Sequence, residues 1–181
     1  LRTCTCAGAC AICMQVKLTK PPYQHAELGR YFDLQPFELV AADESGVIYP
    51  MAYDGSNYFI IFVCLRTRYR DLFTMASRDE YAVVLRIYLG RIRKRGFRTK
   101  GMYLRQDRAG EHISPAAQEV YDCNDLEPQF TTPPYHEQNP AELVVKETKK
   151  QMRAMLATPG LPDTYWSLAA IHSGNVIQNV L

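Results

Sequence analysis

The hydrophobic and polar positions of the chain divide it into two halves of different period. From Phe37 to Ser77, short apolar runs alternate with turn residues. "FELVAAD" is bounded downstream by Gly46 and Pro50, "NYFIIFVCL" is crowded with aromatic and β-branched side chains, and "DLFTMAS" closes the set. Runs this short and this apolar read as strands, and three in succession with short connections predict an antiparallel meander. The period then lengthens. In "RDEYAVVLRIYLGRIRKR" the positions Tyr81, Val84, Leu85, Tyr88 and Ile92 recur at helical spacing, with acids near the start and cations near the end, as the helix dipole favours. Gly96 stops this helix, and "GMYLRQD" reads as a fourth strand ending at Asp107. Ser114 as N-cap and Pro115 in the first turn open a short helix to Asp122, "PQFTT" is a fifth short strand, and a last helix runs from Pro162.

Between them lies "HEQNPAELVVKETKKQMRAML", a polar stretch with a proline that turns into a helix. At about 100° per residue, Glu142, Lys146, Lys149 and Arg153 share an arc of roughly 60°, beside a mostly apolar stripe of Val145, Thr148, Met152 and Met155. On its own, one carboxylate leading three cations reads as a solvated face with i,i+4 pairing. Alternation in the second half makes the whole a mixed α/β domain with helices packed on a central sheet.

Composition adds one main domain: 181 residues, 47% hydrophobic and 22% charged, suffice for a sizeable core. The net charge of +2 makes no case for nucleic acid, but its distribution does, since Arg86 to Arg105 holds eight Lys/Arg and no acid. No run approaches a membrane span and no signal peptide is evident, so the chain reads as soluble and intracellular. It begins with Leu and ends inside a helix-like run, which suggests a piece of something longer. Cys4, Cys6, Cys10 and Cys13 crowd the first thirteen residues. Without secretory features this favours metal over disulfides, and Cys10-x2-Cys13 is half of a tetrahedral zinc site whose usual partners are missing nearby. Residues 14 to 36, with Pro21, Pro22 and Pro36, read as an extended linker, and the compact domain begins near Phe37.

Two acids end strands: Asp43 the first and Asp107 the fourth. If those strands are neighbours, the carboxylates can share a divalent ion, and Glu142 near a helix start can supply a third ligand of a two-metal site. Mg²⁺ requires such hard oxygen donors.

In order along nearly the whole chain, the motifs resemble those of integrases from copia-type LTR retrotransposons, relatives of retroviral integrases. "CAICMQVKLTKPPY" is similar to the end of the family's N-terminal zinc module and its basic linker, and "FELVAADESGVI" to its first catalytic strand. "GSNYFIIFVCLRTRYRDLF" resembles its second strand and the turn into the third, and "LRQDRAGEH" its D-N-G-G-E-F segment at Asp107, Gly110 and Glu111. "PPYHEQNPAELVVKETKKQMRAML" is similar to its P-Y-x-P-Q-x-N-G-x-x-E loop and helix, and "LPDTYWSLAAIHSGNVIQN" to its last helix. The resemblance implies a ribonuclease H-like fold, a central mixed five-stranded sheet flanked by helices. It implies a core over 37–181 and a remnant of the zinc module with its linker over 1–36. Asp43, Asp107 and Glu142 would be the D,D,E ligands of Mg²⁺ or Mn²⁺. Lys146 and Lys149, with Gln138 and Asn139, would contact DNA. Cys10 and Cys13 would bind Zn²⁺ only with ligands upstream. The implied activity is processing of retroelement DNA ends and their transfer to target DNA, by a homo-multimer without membrane attachment, in the nucleus or a cytoplasmic particle.

Departures from the pattern define the alternative. The Asn and Gly after the second Asp are Arg108 and Ala109, the D-D-x-S-R turn is "CLRTR", and the Gly after Asn139 is Pro140 in a loop about two residues short. A shortened, stiffened loop is expected to hold Glu142 out of metal reach, and Arg108 to compete with metal for the carboxylates. That alternative is a degenerate domain that only binds nucleic acid through Lys146, Lys149 and the 86–105 patch. A ribonuclease H-like nuclease acting on hybrids is disfavoured, because the resemblance extends to the cysteine linker and the last helix.

Overall fold

The computed structural model describes residues 31, 33–131, 139–157 and 160–178. The cysteine cluster around Cys10 and Cys13, the 1–30 segment and Gln138 lie outside the described residues. Five strands, β1 (Leu39–Glu44), β2 (Tyr58–Cys64), β3 (Arg70–Met75), β4 (Tyr103–Asp107) and β5 (Glu127–Thr131), form one sheet in the order β3-β2-β1-β4-β5. The first three pair antiparallel, as the expected meander, whereas β1–β4 and β4–β5 are parallel. Four helices complete the fold: α1 (Tyr81–Lys94), α2 (Pro115–Asn124), α3 (Pro140–Leu156) and α4 (Trp166–Gln178). This is the expected α/β architecture, a mixed five-stranded sheet between helices, consistent with a ribonuclease H-like fold.

Helices cover both faces, so an interior strand has no polar side to show. β2, "YFIIFVC", is buried almost throughout, as its near-continuous apolar run requires. In β1 the alternation is functional. Val40 and Ala42 join the core beneath α1 and α2, while Leu39 and Ala41 join the core beneath α3 and α4. The same period of two sends Asp43 toward α3 and the next residue, Glu44, toward α1.

Two expected boundaries move. Phe37 precedes β1 instead of opening it: its φ of 63° places it in a turn, with its ring against Phe97 at 4.7 Å and its N–H donating to Cys64 Sγ. The last helix starts at Trp166 after a 3-10 turn over Asp163–Tyr165. The predicted stops hold. Gly96, at φ 85°, follows α1, and Ser114 Oγ accepts from Ala117 N–H at the start of α2 with Pro115 at the first position.

Candidate active site

β1 and β4 run side by side with Leu39 opposite Tyr103 and Ala41 opposite Arg105, and the same offset brings Asp43 opposite Asp107 where the strands end. On the far side, β5 sets Thr131 opposite Asp107. The helix start that faces these strand ends is built by three consecutive signals. Asn139 is the N-cap of α3, its side-chain oxygen accepting from Ala141 N–H at 3.2 Å. Its carboxamide nitrogen donates to Ala42 carbonyl at 2.9 Å, next to Asp43, so one buried side chain both caps the helix and ties it to β1. Pro140 occupies the first helical position, where its fixed φ is favourable and its missing N–H costs nothing. Glu142 follows two residues later in the first turn.

Asp43, Asp107, Thr131, Asn139 and Glu142 therefore line one pocket of about 270 Å³. Pro140 does not keep Glu142 from lining this pocket: the proline starts the helix whose first turn carries it. Arg108 is likewise not a competitor. It is exposed, and among the described residues its side chain enters no ion pair with Asp107.

The electrostatics register the crowding. Burial, and after it the charges of Asp107 and Glu142, push the Asp43 carboxyl up to about 7. Each of the other two carboxylates has a cationic neighbour. Glu142 meets Lys146 at 2.6 Å. Asp107 Oδ1 lies 2.8 Å from Nδ1 of His112, and this hydrogen bond, more than any other effect, holds the Asp107 carboxyl below its usual range. Sequence reasoning quoted the segment containing His112 without giving it a role, although the family segment ends in Phe at that position. His112 is 1% exposed, and its carboxylate neighbours outweigh burial to raise it to about 9.

The two lysines expected on DNA divide. Lys146 is 62% exposed on its side chain beside Glu142. Lys149 donates to the Ser45 carbonyl close behind Asp43, and burial lowers its ammonium below the ordinary lysine value. Arg153 is exposed. The 86–105 patch is less free than its sequence suggests. Arg86 pairs with Glu119 at 2.9 Å, Arg91 with Asp71 at 2.8 Å and Lys100 with Asp125 at 3.8 Å, while Arg95 lies over the Tyr69 ring.

No protein-family model matches the chain. It is 24% identical over 176 residues to the Gag-Pol polyprotein of transposon Ty1-DR4 of Saccharomyces cerevisiae, a match covering 95% of this chain and 11% of the polyprotein. The Ty1-NL2 Gag-Pol polyprotein of the same yeast matches at 24% over 10% of its length. The chain thus spans about a tenth of the length of the curated relatives it matches. Among solved structures, a chain in the simian T-cell lymphotropic virus intasome in complex with PP2A regulatory subunit B56 gamma is similar in fold, with a TM-score of 0.56 at 14% identity. That match covers 76% of this chain and 48% of the other.

Proposed function

We propose that the chain, similar in sequence to Ty1 Gag-Pol polyproteins and in fold to a chain of a retroviral intasome, is the integrase core of a copia-type LTR retrotransposon, which processes the ends of retroelement DNA and joins them to target DNA. The observation that carries this reading is that Asp43, Asp107 and Glu142, from two neighbouring parallel strands and one helix start, line a single pocket where burial, and after it the two neighbouring acids, raise Asp43 to about 7. Three carboxylates lining one pocket are suited to a hard divalent cation, Mg²⁺ or Mn²⁺, which Asp43, Asp107 and Glu142 would hold. Bound there, the metal supplies activation of a water or DNA hydroxyl and stabilisation of the oxygen leaving the phosphodiester.

The chain's own residues prepare that chemistry. Asn139 fixes the first turn of α3 against β1 and so fixes Glu142. His112 orients Asp107 through its Nδ1, which also lies 3.0 Å from the Asp107 carbonyl. Lys146, one turn beyond Glu142 on an exposed face, is the group available to meet a DNA phosphate without reading sequence. In the same reading, residues 1–36 carry the tail of a zinc module through Cys10 and Cys13, and the protein works as a multimer in the nucleus or a cytoplasmic particle.

The test is joining of a labelled duplex, ending in the terminal repeat of the element that encodes the chain, to a supercoiled target in Mg²⁺ or Mn²⁺. Joined product that is lost with Asp107→Asn and with Glu142→Gln is the expected result. The second reading, a domain that only binds nucleic acid, draws on the pairing of Glu142 with Lys146 and of Asp107 with His112, which engages two of the three carboxylates. Absence of joining with DNA binding that falls steeply with salt would select it.

A further inference from the structure

On the opposite face of β1 from Asp43, Glu44 points into a second cluster. Its side chain is 8% exposed, that of Glu111 10% and that of His112 1%. One ligand atom from each residue lies within 4.8 Å of the other two. The side chains also hold three buried atoms, Glu44 Oε1, Glu111 Oε1 and His112 Nε2, none of which has a hydrogen-bond partner. Native interiors rarely leave one such atom unsatisfied, and here three are turned toward one point.

The geometry points to a site for a divalent transition ion of the Zn²⁺ class, bound by Glu44, Glu111 and His112 and separate from the Asp43 pocket. A tetrahedral ion with bonds of about 2.0–2.2 Å keeps its ligand atoms about 3.3–3.5 Å apart. The distance between His112 Nε2 and Glu44 Oε1 is 3.5 Å, too long to be a good hydrogen bond and the right length for an edge of that tetrahedron. One imidazole nitrogen with two carboxylate oxygens suits Zn²⁺ or Co²⁺ better than Mg²⁺, which takes oxygen donors.

The surroundings also fit. His112 Nδ1 lies 2.8 Å from Asp107 Oδ1, the carboxylate–histidine arrangement that fixes a metal-binding tautomer with Nε2 free. Arg78, 47% exposed on its side chain, approaches Glu44 Oε2 and Glu111 Oε1 at 3.4 Å each and closes the site toward solvent. The Glu44 contact is on the non-ligand oxygen, and a carboxylate oxygen has a second lone pair for the ion. Charge balances once the ion displaces the proton of His112: the anions Glu44, Glu111 and Asp107 and the cation Arg78 then sum to –2, which a divalent ion cancels. The ion would anchor His112, and through it Asp107, from behind the strand ends. The inference stands whether or not the chain joins DNA.

The experiment uses the full chain with Cys4, Cys6, Cys10 and Cys13 changed to Ser, stripped with EDTA, dialysed and titrated with Co²⁺ and with Zn²⁺ in excess Mg²⁺, which competes for the all-oxygen Asp43 pocket. One equivalent bound, with the visible absorption of four- or five-coordinate Co²⁺, is expected. Glu111→Gln and His112→Phe should each weaken binding more than about tenfold, in line with the sensitivity of metal affinity even to outer-shell partners, while Glu142→Gln leaves it unchanged. Circular dichroism establishes that each variant is folded, and Glu111→Gln, which preserves shape, decides the matter if His112→Phe misfolds. No uptake by the parent chain would overturn the site, and so would uptake that survives Glu111→Gln but disappears with Glu142→Gln.

Discussion

Replacing Asp43 with Asn should stabilise the metal-free protein, because the folded state buries this carboxylate and confines it with two others. The rise from 3.8 to about 7 corresponds, at about 1.36 kcal/mol per pKa unit, to roughly 4 kcal/mol of folding stability forfeited once Asp43 ionises. Asp107 and Glu142 are 45% and 38% exposed on their side chains, so solvent screens part of the repulsion and about 1–3 kcal/mol is the realistic gain for D43N. For a domain of this size that is a rise in Tm of about 3–10 °C. The sign follows from linkage. Below 3.8 Asp43 is protonated in both folded and unfolded chains, so the variant gains nothing there. Between 3.8 and about 7 the unfolded chain ionises first and the parent protein loses stability progressively; above 7 the loss is complete and the difference constant. Thermal unfolding in EDTA from pH 4 to 8.5 measures it. Mg²⁺ should then raise the Tm of the parent protein more than that of D43N, since a ligand stabilises only the state that binds it. A variant that is less stable at pH 8, or a difference that does not change with pH, would refute the claim that burial and the neighbouring acids raise Asp43 in the folded protein.

Four further outcomes are expected. Asn139→Ala removes the cap of α3 and leaves the Ala42 carbonyl unpaired, so urea denaturation should show a loss of about 1–3 kcal/mol. Tyr121→Phe should cost about 1–3 kcal/mol by the same assay, since its hydroxyl accepts from Gln106 Nε2 at 2.7 Å and donates to the His112 carbonyl at 2.8 Å in a buried network. His112, raised from 6.5 to about 9, contributes stability that is full below 6.5 and is lost as pH climbs through 9; unfolding between pH 6 and 10 should show that loss in the metal-free parent and not in His112→Phe. Gly90→Ala, whose new Cβ meets nothing within 4 Å in α1, should stabilise by about 0.5–1 kcal/mol in chemical denaturation, whereas Gly174→Ala, 3.2 Å from Leu72 Cβ, should forfeit that gain.

The elements of the fold were legible wherever a pattern repeats over several residues. β2 announces itself by seven nearly unbroken apolar positions, and α1 by its stripe and its glycine stop. Asp43, Asp107 and Glu142 were legible as two strand ends and a helix start, and all three line one pocket. What sequence reasoning missed depends on partners distant along the chain. The basic patch looked free because Asp71 and Glu119 stand 20 and 33 residues from Arg91 and Arg86. Glu44 was hidden by its neighbour: once Asp43 faces α3, strand alternation sends Glu44 to the other side, and only the fold reveals that Glu111 and His112 wait there. Asn139 could have been read locally. "NPAE" is an N-cap, a first-turn proline and an acid at the third helical position, a start signal that proximity to a loop motif obscured.

The bond from the Asn139 carboxamide to Ala42 means that the start of α3 takes its bearings from the sheet. Glu142 thus owes its place to a single buried carboxamide, and the strand that carries Asp43 also sets where the third acid stands.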